Sequence, residues 1–418
     1  MRFILYLLSI FLLSCIKPTD PLTEEDTATL IVHLETYGEA LDVDITDGKM
    51  VVAANYNGFI VYDVTRDSQG NITVLDSIYN DSDMASDMGD NRAQSIVISD
   101  NFNIAFITDI YDRIWLYKLG DEENQYIDNY LSDCYGGVWL STAIDDQLNH
   151  INVFSLVKHI SSEDDNGETI GDFDQYSTSV VWKKLNLTDS QFPESDASPS
   201  CEFSYNFGIL PEDIYFSDGL LAVSNGELGV KVLKQLDQSS CFDDQNQLIE
   251  EFQSTGDIDF DRIACENSIF DYYNPGLGGN YEPEGGFYPY VFSSFDLPGS
   301  VNTVLVRNST IFSGLSTSNG CYMSLLDNNG IVVDNLSIAN GYTINGIDES
   351  DGVIALSAGH DGVLLYRSYE SSNEGDNLGP VQFIGQLSTA YSNNVKLNGN
   401  NLIVSTEDGI YVYLINEK

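Results

Sequence analysis

The chain has 418 residues, 42% hydrophobic and 20% charged, the balance of a packed globular protein and not of a disordered one. Its 65 Asp and Glu against 17 Lys and Arg give a formal net charge of −48, spread along the whole length. Binding a phosphate backbone needs clustered cations to replace its counterions, so nucleic acid is excluded as an expected partner; the acidity reads as a solvated surface, or as an attraction for divalent cations or a basic partner.

The first stretch, MRFILYLLSIFLLSC, has one early cation, Arg2, and an apolar run from Phe3 to Leu13. A helix needs about 20 residues to cross a bilayer core of roughly 30 Å, so this run reads as the apolar part of a removable signal peptide, residues 1–14. Its ending, Leu12-Leu13-Ser14-Cys15, resembles the bacterial lipobox. The resemblance implies that Cys15 becomes the acylated first residue of the mature chain, with residues 15–27 as a polar tether to the membrane. Ile16 and Lys17 do not include the Asp that retains such proteins at the inner membrane of enteric bacteria. An outer-membrane or cell-surface location is therefore expected. An ordinary secretory signal is the alternative.

Thiols outside the cytoplasm tend to be oxidised. Beyond Cys15 there remain Cys134, Cys201, Cys241, Cys265 and Cys321, an odd number that allows at most two disulfides. Cys241 and Cys265 bracket one insertion and form the preferred pair, with buried free thiols as the alternative. No CxxC spacing points to zinc.

From Ala28 onward one phrase recurs. Its first copy reads LDVDI, DGKMVVAAN and GFIVYDV between Leu41 and Val64. A second runs from Gln94 to Leu119 with Arg113 in place of the Gly. A third begins at Gly136 and reaches its last strand, TSVVWKKL, only after the polar stretch SSEDDNGETIGDFDQ. A fourth spans Glu212 to Leu236, a fifth Asn302 to Asp327 without a clear Gly, a sixth Ile344 to Ser368 and a seventh Asn393 to Ile415. Alternating segments bounded by Gly, Asn and Asp predict short antiparallel strands. Between copies lies a further apolar segment suited to a fourth, outer strand, such as ITVLDSIY at Ile72, YVFSSF at Tyr290 and VQFIGQL at Val381.

Four strands recurring about every 45 residues is the pattern of a propeller blade. The expected fold is an all-β, seven-bladed β-propeller over residues 28–418, with eight blades as the alternative. Ala28 to Glu35, ATLIVHLE, precedes the first copy and is expected to complete the last blade as its outer strand, zipping the two chain ends together. Units ending in GFIVYDV after an alternating strand and VVAAN resemble the LVIVD repeat of bacterial and archaeal surface propellers. That resemblance implies a secreted or cell-surface propeller, and it brings no shared catalytic set.

The repeat is lost from about residue 237 to 288, which reads as an insertion between the third and outer strands of the fourth blade, or as a hidden eighth blade. Long loops inside compact domains usually carry function. Tyr272, Tyr273, Tyr281, Phe287 and Tyr288, set among Gly and Pro, suit a contact surface of rigid rings; packing against the propeller rim is the alternative. Asp257, Asp259 and Asp261 alternate as in an acidic calcium loop, but Arg262 stands where that loop needs Gly. No cofactor is expected, with calcium as the alternative.

His33, His150, His159 and His360 are scattered singly, and no nucleophile elbow or phosphate-binding turn occurs. The expected function is a non-catalytic, lipid-anchored binding or scaffold module for an envelope protein or glycan, using rim loops and the insertion. The alternative is an extracellular glycan or lactone hydrolase or lyase that uses carboxylates in the central channel.

Overall fold

The computed structural model of the protein describes residues 27–80, 92–109, 113–120, 126–127, 137–146, 150–159, 162–163, 169–170, 178–186, 203–208, 211–235, 289–369 and 377–416. These form seven four-stranded antiparallel sheets and one two-stranded ribbon, in an all-β propeller arrangement.

In chain order, the first sheet is Asp42–Ile45, Lys49–Ala53, Phe59–Arg66 and Ile72–Asn80. The second is Ala93–Ser99, Ile104–Asp109, Arg113–Lys118 and Tyr126–Ile127, and the third Gly137–Asp146, His150–His159, Thr178–Asn186 and Phe203–Gly208. The ribbon, Ser162–Glu163 with Thr169–Ile170, lies within the polar stretch of the third copy. The fourth sheet is Ile214–Ser217, Leu220–Ser224, Val230–Gln235 and Pro289–Phe295; the fifth is Val301–Arg307, Thr310–Leu315, Cys321–Leu326 and Val332–Ile338. The sixth is Gly346–Ser350, Val353–Ser357, Val363–Ser368 and Val381–Leu387.

The seventh sheet joins the two ends of the chain. Ser392–Asn398, Asn401–Thr406 and Gly409–Ile415 are C-terminal, and the outer strand is Ala28–Leu34, which pairs antiparallel from Ala28 with Ile415 to Leu34 with Ile410. In the fourth sheet, Val230 pairs with Phe295 and Gln235 with Pro289, so the segment between residues 235 and 289 joins two adjacent strands.

Burial follows the radius. Second strands such as Leu220–Ser224, Val353–Ser357 and Asn401–Thr406 are buried at every residue. Both of their faces lie against neighbouring sheets, so they read as continuous apolar runs and not as alternation. Outer strands such as Val332–Ile338 and Ala28–Leu34 are partly exposed along their length. The core is divided among the gaps between sheets. Phe59 and Val61 meet Ile107 and Trp115 between the first and second sheets, and Met50 and Val52 meet Ile403 and Val412 between the first and seventh. Each fully buried side chain of this kind stabilises by about 1.5 to 3 kcal/mol.

The Gly that leads the third strand has a steric cause. Gly229, Gly362 and Gly409 have positive φ, and a Cβ on each would lie 2.1 Å from a carbonyl oxygen of the outer strand, that of Phe295, Leu387 or Leu34. Gly320 occupies the same place in the fifth sheet, at φ 76° and with the Ile338 oxygen 2.3 Å from its virtual Cβ. Contrary to the expectation of no clear Gly there, the fifth copy keeps it, one residue ahead of Cys321.

Candidate functional site

The first strands of the sheets stand side by side around an axis and enclose a cavity of about 390 Å³ lined by Asp42, Asp44, Ser141, Asp213, Asp348 and Lys396, among others. A first strand is the inner edge of its sheet, so its outward N–H groups have no ladder partner. Carboxylates supply one.

Asp42 accepts through Oδ1 from its neighbour's N–H, Val43, at 2.8 Å, and through Oδ2 from Ile96 N–H of the second sheet at 2.8 Å. Asn394 of the seventh sheet donates to the same Oδ1 at 2.6 Å. Asp213 repeats this one half-turn away, accepting from Ile214 N–H and the Ser141 hydroxyl on one oxygen and from Val304 N–H and the Thr303 hydroxyl on the other.

Two residues further along the strands a second level uses the same device. Asp44 accepts from Ile45 N–H and from Ile98 N–H of the second sheet, and pairs with Lys396 Nζ of the seventh at 2.9 Å. Asp348 accepts from Glu349 N–H and from Leu397 N–H of the seventh sheet, and receives Arg307 Nη2 of the fifth at 2.9 Å. Arg307 also donates to the Tyr215 hydroxyl. Every one of these four carboxylates therefore has both oxygens engaged, and each ties at least two sheets together.

The electrostatics follow from this enclosure. Loss of solvent, with a smaller push from the nearby Asp44, raises the Asp42 pKa to about 6 against the pull of the Ile96 and Val43 N–H groups. The same loss raises Asp213, opposed by its four donors. For Lys396, burial pulls the pKa down, but the carboxylates of Asp44 and then Asp348 more than offset it, so the ammonium is held charged. Asp100, near the mouth, is raised by burial and by Asp44, Asp146 and Asp47.

The sequence-derived site residues distribute as follows. Cys15, Cys241, Cys265, Tyr272, Tyr273, Tyr281, Phe287 and Tyr288 lie outside the described residues, as do Asp257, Asp259 and Asp261. Cys321 is a buried free thiol, and burial pushes its pKa up to about 12. His33 stacks on Tyr411 at 4.2 Å in the seventh sheet, whereas His360 meets the edge of Tyr391 at 4.8 Å beside a turn of the sixth. Asp42 and Asp44 sit in LDVDI, Asp213 in EDIYF of the fourth copy and Asp348 in INGID of the sixth, and the sequence expectations name none of them as site residues. For Asp42 and Asp213 the available signal was an acid or amide at the second residue of the first-strand segment, which Asn394 of NNVKL shares.

No known protein-family profile matches the chain. No curated protein matches it either. Among solved structures, the chain is similar to the WD40 repeats of RRP9, with a TM-score of 0.54 at 11% identity, over 95% of this chain and 99% of that one. A chain of the mitotic checkpoint complex gives 0.49 at 11% identity, over 97% and 96%. The computationally designed Ika8 protein gives 0.48 at 10%, over 94% and 100%. The RRP9 likeness shows the propeller fold.

Proposed function

We propose that this protein is a lipid-anchored envelope propeller of seven blades that serves as a non-catalytic binding or scaffold module. The observation that carries the non-catalytic reading is the engagement of both oxygens of Asp42, Asp44, Asp213 and Asp348 by protein donors. A glycosidase-type reaction asks for a carboxylate free to attack or to exchange a proton with substrate. Here such a change would break a bond between sheets.

Blade number is supported by the order of neighbours, since first strands touch in sequence from the first sheet to the seventh and the seventh touches the first. The junction of Gln235 and Pro289 within one sheet favours an insertion over an eighth blade. The anchor rests on the lipobox resemblance at Cys15, and the surface location on that and on the likeness to LVIVD repeats. Recognition is assigned to rim loops and the segment from residue 237 to 288, with an envelope protein or a glycan as partner.

The test is in two parts. Mass analysis of the mature N-terminal peptide is expected to show acylated Cys15, and Cys15→Ala is expected to leave the membrane fraction. A full-length sample screened against envelope glycans is expected to bind without turnover. Hydrolysis or elimination that is lost in Asp42→Asn would replace this reading with the enzyme reading, which Asp42 favours through its raised pKa.

A further inference from the structure

The chain topology sets the face of the ring at which Ala28 enters its sheet. First strands run parallel around the axis: Asp42 and Asp44 bond Ile96 and Ile98, Asn394 and Lys396 bond Asp42 and Asp44, and Asp213 and Asp218 bond Val304 and Asn308. All sheets therefore share one polarity. Connections from first to second strand, and from third to fourth, open on one face; connections from second to third strand, and linkers between sheets, open on the other.

Ala28 pairs with Ile415, the last residue of a third strand, so it enters its sheet where a third-to-fourth connection would. Gln235 and Pro289, the feet of the long insertion, are at the same end of their sheet. Both chain ends and both feet of the insertion leave from a single face. The opposite face carries Tyr37, 84% exposed at the linker into the first sheet, and Tyr56, 63% exposed in a second-to-third turn.

We infer that the face at which Ala28 and Ile415 leave the ring is turned toward the membrane and that the face of Tyr37 and Tyr56 points away from it. This rests on the acylation of Cys15 proposed above. Thirteen residue steps separate Cys15 from Ala28, a reach of at most about 45 Å. Turning the ring over would lead the tether back along the seven-residue strand Ala28–Leu34, which takes up roughly 23 Å of it. The near face carries exposed Asp47, Asp67, Asp218 and Asp351. These acids leave attachment to the acyl chains and hold the ring off an anionic surface by about a Debye length, ~8 Å at physiological salt.

The experiment uses full-length acylated protein in lipid vesicles, with one donor dye at a time introduced through an unnatural amino acid and acceptor dye on the lipid headgroups. Gln69 and Asn400 report the near face, Glu227 and Glu407 the far one. Transfer at least twofold more efficient from Gln69 and Asn400 is the expected result. Equal transfer from both pairs, or more from Glu227 and Glu407, overturns the orientation while the mass of the acylated peptide leaves the anchor standing. Absence of acyl mass on Cys15 overturns both.

Discussion

The carboxylate of Asp42 receives the main-chain N–H of Ile96 at 2.8 Å, a bond between residues 54 apart in sequence that joins the first strands of two neighbouring sheets. The inner edge of a sheet, which elsewhere is a liability to be covered, is here closed by side chains from the next sheet.

Asp42→Asn is expected to act differently at different pH. The folded-state pKa of Asp42, about 6, lies above its ordinary 3.8, so its contribution to stability is full below pH 3.8 and is lost as the pH rises through about 6. The Asn variant has no such titration. Its destabilisation relative to the parent should therefore be greater at pH 4 than at pH 7, by roughly 2 to 3 kcal/mol at 1.36 kcal/mol per pKa unit. Chemical denaturation at the two pH values measures this, and equal differences at both would contradict it.

Lys396→Met removes the partner of buried Asp44 and leaves that charge uncompensated. The expected loss is about 3 kcal/mol, and adding Asp44→Asn should restore part of it. A double-mutant cycle by urea unfolding reads the coupling; additive effects would show that the pair is not acting as one.

The strand-leading Gly predicts a contrast. Gly362→Ala must place a methyl group against the Leu387 oxygen at positive φ, whereas Gly399→Ala has positive φ but open space around it. About 1 kcal/mol is expected for Gly399→Ala from backbone strain alone, and about 3 kcal/mol or more for Gly362→Ala. Thermal melts of the two variants give the comparison.

Deleting Ser239 to Gly286 leaves five residues to join Gln235 with Pro289, enough for a hairpin connection between strands already in register. The deletion is expected to melt within a few degrees of the parent and to lose partner capture. Global unfolding would mean that the segment supplies a blade.

Much of this architecture was legible because the repeat samples the same geometry many times. Ala28–Leu34 as an outer strand and its pairing with Ile410 to Ile415 followed from its place ahead of the first copy and from its alternation. Gly320 was missed because Cys-Tyr-Met-Ser after it does not resemble the apolar run that follows Gly58 or Gly362. The channel acids were hidden by abundance. With 65 carboxylates in the chain, nothing local marks Asp44 or Asp348; what sets them apart is a partner 49 or more residues away.

The seventh sheet takes its outermost strand from Ala28–Leu34, ahead of the other six sheets, and its other three from Ser392–Ile415, after them. During synthesis Ala28–Leu34 emerges before the other strands of its sheet and finds no template until the chain has been made as far as Ile410 to Ile415, after the six sheets between them. Ring closure is thus the step of longest loop and greatest entropic delay, during which an unzipped edge remains sticky. A circular permutant whose new ends fall between two complete sheets would place all four strands of this one in a single continuous stretch. It should fold faster than the natural order, with less aggregation on refolding.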